Sequence, residues 1–273
     1  MRYKRLIIIL SSIVGAILLC FILSFALFGL KTVELNFKNE TTIFADKEQQ
    51  QAIINSGNFS YSMPIFSTNK QEIVERLELA NSYLKVINIE TVFPNKLIIH
   101  CAEREELFAI KAGDNLFYIC DDELKVLRLD TNYESSQKYA IFLEGVVIQN
   151  KTARVGEYLS FHNSEPIIKN ISNAFAYNNK TISDIRGMFS EIKLSYEMNY
   201  YTCTSEAVLT FVTFDGFIIK VDLPSKNLIE KFNLMIALIP ASVEKYGTHQ
   251  LVIAINPNNL KDTYIRYENL ENK

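Results

Sequence analysis

Three histidines, four cysteines and two short acidic runs are the residues of this chain whose types could do chemistry. His100, His162 and His249 stand far apart, and none has a carboxylate or thiol at the spacing of a metal or nucleophile motif. His100 and Cys101 are neighbours, but adjacent side chains of an extended segment leave on opposite faces, so adjacency makes no nucleophile–base pair. Cys20, Cys101, Cys120 and Cys203 include no Cys-x-x-Cys. Cys101 and Cys120 fall in predicted strands, where either a disulfide between them or two buried thiols fits. Glu103, Glu105 and Glu106 around Arg104 have the composition of an acid–base site, although a solvated strand end with a local ion pair is the simpler reading. Asp121-Asp122-Glu123 could hold a cation, and a hairpin turn is the simpler reading there. Nine glycines in 273 residues form no G-x-S-x-G elbow or phosphate loop, and H-E-x-x-H is absent. The expectation is no catalytic residue, no metal ligand and no cofactor, in a protein that works by contact.

The elements that carry these residues begin with an anchor. Arg2, Lys4 and Arg5 precede a run from Leu6 to Leu30 that contains no charge, and seventeen of its 25 residues are Leu, Ile, Val or Phe. As a helix it is about 37 Å long, more than the roughly 30 Å hydrocarbon core requires. Insertion is favoured by about 5–10 kcal/mol. The basic tail predicts a cytoplasmic N-terminus and an extracytoplasmic remainder. A cleaved signal peptide needs a shorter apolar stretch, and Ser24-Phe25-Ala26 is only a faint cleavage site. Cys20 follows Leu19, where a lipoprotein cysteine would follow a small residue. Outside the tail and span, 25 Lys and Arg face 31 Asp and Glu, a net charge of −6 that argues against nucleic acid as a partner.

Beyond the span the pattern alternates between the two periods. Val33–Phe37 reads as a strand, Asp46–Ser56 as a helix stopped by Gly57, and Asn69–Ala80 as a second helix opened by a Thr68/Gln71 capping box. Ile73, Val74, Leu77 and Ala80 form its apolar side. Leu84–Val92 and Lys96–Glu103 form a hairpin around Pro94-Asn95. Short strands follow at Phe108–Lys111, Leu116–Cys120, Lys125–Leu129 and Ile141–Glu144. A helix spans Ser164–Tyr177, with Ile167, Ile168, Ile171 and Phe175 inward. Ile185–Met198 holds at least one strand, and Tyr200–Cys203 has room to begin another. Ala207–Phe214 and Phe217–Leu223 flank Asp215-Gly216, a strong hairpin signal. Ser225 caps a helix over 226–239, and Leu251–Ile255 and Tyr264–Tyr267 are the last strands.

This order resembles the FtsQ/DivIB family of bacterial division proteins. The likeness is carried by Ile65-Phe66-x-x-Asn69-Lys70, by Leu84-Lys85-Val86-Ile87-Asn88-Ile89-Glu90, by Phe93-Pro94-Asn95-Lys96-Leu97-Ile98-Ile99 and by Glu103-Arg104. It continues in Tyr118-Ile119-Cys120-Asp121, Asp215–Val221 and Asn227-Leu228-Ile229-Glu230-Lys231-Phe232. Asn81 stands where the family usually has Pro, and Thr91-Val92-Phe93 replaces a basic residue before Pro94. The resemblance implies an α+β fold: one transmembrane helix, a β-α-α-β-β POTRA domain, then a mixed β-rich domain with two packed helices. The implied divisions are a cytoplasmic tail at 1–5, the span at 6–30, the POTRA domain at 31–111, the β domain at 112–268 and a polar tail at 269–273.

The resemblance further implies a non-enzymatic cell-membrane scaffold at the division septum. It would bind FtsL-like and FtsB/DivIC-like proteins and help recruit or regulate septal peptidoglycan synthesis. The family makes this contact with the C-terminal edge of its β domain, which falls here on Tyr264, Ile265, Arg266 and Tyr267. Three readings rank behind it. A POTRA-bearing envelope or sporulation protein would share the architecture. A barrel-assembly or secretion protein would add a long amphipathic barrel. A membrane-anchored surface enzyme would need a polar constellation that the residues do not provide.

Overall fold

The computed structural model describes residues 2–38, 43–132, 140–150, 152–162, 164–177, 180–199, 204–246, 250–256 and 259–268. The chain divides into two compact units, Met1–Arg104 and Glu105–Lys273.

The first unit starts with helix α1, Arg2–Phe28, whose Ser11–Phe28 segment has a mean hydropathy of 2.5 and is long and apolar enough to cross a membrane. The helix stops at Phe28, two residues short of the expected Leu30. Gly29 N still donates to Phe25 O at 3.1 Å, but Leu30 N donates to Met63 O and Ser62 N to Leu30 O, both at 2.9 Å. Leu30 is 2% exposed and belongs to the core of the folded unit, so the end of the predicted span is drawn into the protein.

Strand β1, Thr32–Phe37, leads to helix α2, Lys47–Ser56, capped by Asp46, whose side chain accepts from Glu48 N. A 3₁₀ turn over Ile65–Ser67 precedes helix α3, Lys70–Ala80. The α3 cap is Asn69, accepting from Glu72 N, and not the predicted Thr68, whose own N–H closes the 3₁₀ turn onto Ile65 O. Ile73 and Leu77 are buried as predicted, whereas Ala80 is exposed and Glu78 takes an inward place. Strands β2, Leu84–Val92, and β3, Lys96–Glu103, form the expected antiparallel hairpin. β1 lies parallel to β3, giving the order β1-β3-β2. Ile53, Ile65, Ile73, Leu77, Leu84, Leu97, Ile99 and Cys101 fill the core under the two helices.

The second unit is built on a nine-stranded sheet. Its first strands are β4, Phe108–Lys111, β5, Phe117–Cys120, β6, Val126–Asp130, and β7, Ile141–Glu144. β4 pairs with β5 and β7, so residues 108–111, expected from the sequence in the first domain, lie in the sheet of this unit. Helix α4, Glu165–Tyr177, buries Ile167, Ile168, Ile171 and Phe175 as its pattern predicts. Helix α5, Ile182–Met188, occupies the start of a segment read as strand. Thr181 and Asp184 form a reciprocal capping box, and that local start overrides the β-branched residues that follow. The strand begins only at Phe189, as β8, Phe189–Asn199.

β9, Thr204–Thr213, and β10, Ile218–Asp222, form the antiparallel hairpin announced by Asp215-Gly216. The loop is four residues, Phe214 to Phe217, with Gly216 at φ +79° in the left-handed region that a side chain would strain. Helix α6, Leu228–Tyr246, runs past the expected end at 239 and through Pro240. Its inward Phe232 packs on Phe175 of α4 and Phe211 of β9. β11, Gln250–Asn256, returns parallel to β10, and β12, Asn259–Glu268, folds back antiparallel on β11. The strand order is β12-β11-β10-β9-β8-β7-β4-β5-β6. Cys203, His249 and residues 269–273 lie outside the described residues.

Candidate partner-binding edge

The two ends of this long sheet are the places where backbone donors and acceptors have no neighbouring strand. β6 closes one end, and the chain itself bonds the start of it. Val126 N donates to Glu157 O at 2.8 Å, Gly156 N to Val126 O at 2.8 Å and Leu159 N to Leu124 O at 2.9 Å, with a further bridge between Lys125 and Tyr158. Arg128 adds charge there, reaching Glu106 at 2.7 Å and Asp130 at 2.5 Å.

β12 closes the other end. Its register sets Tyr267 against Leu251, Arg266 against Val252, Ile265 against Ile253 and Tyr264 against Ala254. Ile253 is fully buried and Ile265 packs on the same core, which fixes the strand's facing. Among the described residues β12 pairs with β11 alone. The four residues singled out in the sequence thus stand on the terminal strand.

Helix α6 is tied to the sheet by a lysine whose role the sequence did not disclose. Lys231 is fully buried, and its Nζ donates to the carbonyl oxygens of Asp222 and Leu223, tying α6 to the end of β10. Leu223 sits at φ +48°, so the amine secures an irregular strand end. Burial pushes the amine's pKa down to about 8, against the pull of the Asp222 carboxylate. The Asn227–Phe232 motif marked the helix but gave no sign of this contact, because it depends on where β10 stops.

The other candidates are dispersed. His100 Nε2 lies 3.1 Å from Glu90 Oε2 across the β2–β3 hairpin, while Cys101 points into the core. The His162 ring Nδ1 lies 3.3 Å from Gln149 Nε2. Cys101 in the first unit and Cys120 in the second are free buried thiols. Burial, then the Glu78 carboxylate, pushes the Cys101 thiol up to about 12, and burial raises Cys120 as well.

Arg104 is not on a solvated strand end. It is buried, donates to Leu84 O at 3.1 Å and pairs with Glu78 at 2.9 Å, while Glu78 also accepts from Val86 N at 2.8 Å. Asp121 is buried at the predicted turn, where its Oδ1 accepts from Glu123 N at 3.0 Å and from Lys125 N at 2.8 Å. Among the described residues no three His, Cys, Asp or Glu side chains gather as metal ligands.

No protein-family model matches the chain. Three curated relatives do. Cell division protein DivIB of Clostridium botulinum strain Hall is 30% identical over 118 residues, covering 43% of this chain and 43% of the relative. DivIB of Clostridium botulinum strain Loch Maree matches to the same extent. DivIB of Clostridium tetani strain Massachusetts is 30% identical over 130 residues, or 48% of this chain and 44% of the relative. The matches span less than half the length of these relatives, and over that part they support the FtsQ/DivIB resemblance.

Proposed function

We propose that this relative of the DivIB cell division proteins is a membrane-anchored scaffold that binds other division proteins by strand addition at β12. In this reading α1 crosses the cell membrane with residues 1–5 in the cytoplasm, and both folded units lie outside. The basic flank at Arg2, Lys4 and Arg5 supports that orientation. The partners are of the FtsL and FtsB/DivIC type, and their capture helps recruit or regulate septal peptidoglycan synthesis.

One observation carries the reading: the strand that the family resemblance marks for contact is also the last in the sheet order, while at the opposite end the chain's own backbone bonds the start of the strand. An added strand would gain main-chain hydrogen bonds from β12, and side chains along it would supply selectivity. Several hydrogen bonds at about 0.5–1.5 kcal/mol each amount to a few kcal/mol, or about 10²–10⁴-fold in affinity.

A proline scan over residues 262–267 tests this. Proline removes one N–H at a time. Positions whose N–H points away from β11 should keep the fold and lose partner capture. Alternate positions, whose N–H bonds β11, should lose stability instead. Capture that survives proline at every position would refute strand addition.

A further inference from the structure

The exit of α1 carries a cluster of exposed rings. Phe28, the last residue of the helix, has Phe66 at 6.2 Å and Phe93 at 6.3 Å between ring centroids, both edge-on. Phe66 is 63% and Phe93 65% exposed, and Met63 beside them is 47% exposed. Large apolar side chains clustered in this way on a folded unit need a covering surface.

No slack separates the helix from these rings. Leu30 exchanges backbone hydrogen bonds with Ser62 and Met63, and Gly29 bridges to Pro64. A Cβ on Gly29 would lie 2.8 Å from Ser62 O, so the close approach requires glycine. The β2–β3 turn is fastened too: Lys31 N and Thr32 N donate to Asn95 O at 2.8 and 3.3 Å. Both ring-bearing loops are therefore fixed to the base of the helix.

The dimensions decide what covers them. From Leu6 to Phe28 the helix is about 34 Å long, slightly more than a hydrocarbon core of roughly 30 Å, and an ordinary tilt takes up the excess and sets Phe28 near the outer boundary. The headgroup layer beyond is about 5–7 Å deep on each side. Rings 6.2 and 6.3 Å from Phe28 fall within that layer. Lys31, exposed at the same level, can face lipid phosphate.

We infer that Phe66 and Phe93 dock the first folded unit onto the outer face of the membrane that α1 crosses, so that the unit rests on lipid at a fixed tilt. This rests on α1 spanning the bilayer as proposed above.

The chain contains no tryptophan, so single substitutions report depth directly. The full chain would be reconstituted without partners in phosphatidylcholine–phosphatidylglycerol vesicles carrying lipids brominated either near the headgroups or near the chain ends. Four variants serve: Phe66→Trp, Phe93→Trp, Leu19→Trp within the helix, and Ile87→Trp. Ile87 is exposed and six residues along β2 from Phe93, about 20 Å in an extended strand.

The inference predicts blue-shifted emission at 66 and 93, quenched by the shallow bromines at least about twofold more than at 87, with Leu19→Trp quenched by the deep ones. Quenching at 19 with none at 66 and 93 beyond that at 87 would overturn the docking and leave the span intact. A blue shift at 66 and 93 that appears only when FtsL-type and DivIC-type proteins are added would assign the face to protein and equally overturn it. Absence of quenching at 19 would remove the span, and the docking with it.

Discussion

The two ends of the nine-stranded sheet are finished in different ways. At β6 residues 156–159 hydrogen-bond the start of the strand, at Leu124 to Val126, and an arginine with two carboxylates lies farther along it. At β12 the described residues show one neighbour, β11, on the inner side. An uncovered edge is a hazard for aggregation as well as a means of binding. Strand addition at β12, as proposed above, rests on this contrast among the described residues.

The strongest way to break this contrast is to alter the two ends in turn. Replacing β12 residues 262–267 singly by proline is expected to lower partner affinity by roughly 2–13-fold at outward-facing positions, for the one hydrogen bond each removes, and by about 10²–10⁴-fold when those positions are replaced together. Proline at Leu127 or Leu129 of β6 should leave affinity unchanged after correction for folded protein. Pull-down from membranes, with circular dichroism to count folded molecules, reads both.

A change remote from either end sharpens the comparison by separating folding from contact. Glu78→Ala would remove the carboxylate that the buried Arg104 pairs with in the first unit, at a cost of about 3–5 kcal/mol. Urea unfolding followed by hydrogen exchange should show that unit losing protection while the β12 amides are unaffected.

Lys231 supplies a pH test on the unit that bears β12. In the unfolded chain its amine keeps an ordinary value near 10.5, whereas in the fold burial lowers it to about 8. Above pH 8 the folded amine gives up its proton while the unfolded one still holds it. The unfolded state then binds more protons, so stability rises from about pH 8 to about 10.5. Below pH 8 this group contributes no slope. The urea midpoint of the second unit should therefore climb over that window, and Lys231→Met should flatten the climb.

The smallest effect is expected at the covered end. Arg128→Met removes a partly exposed ion-pair network and should cost the unit about 1 kcal/mol without changing affinity.

Much of the fold could be read from local patterns. The β7 strand coincides with its predicted bounds, and the inward faces of α4 and of the β9–β10 hairpin follow the periodicity of Ile167, Ile168, Ile171, Phe217, Ile219 and Val221. Features that depend on distant partners could not be read. Arg104 appeared solvated because Glu78 lies 26 positions away in sequence. Leu30 appeared to end a membrane span because its hydrogen bonds to Ser62 and Met63 are tertiary. Helix α5 was missed because Ile182 and Ile185 resemble strand residues, and its capping box uses Asp184 where Glu or Gln is usual. The candidate strand itself was legible through the family resemblance, but its place at the end of the sheet follows from the crossover through α6, which no short motif records.

Hydrogen–deuterium exchange on the full chain in lipid nanodiscs, with and without an FtsL-type and DivIC-type pair, tests the central claim most directly. The account predicts new protection concentrated in the amides of 259–268, with the 124–130 segment unchanged. Protection that appears elsewhere while 259–268 exchanges as before would contradict it.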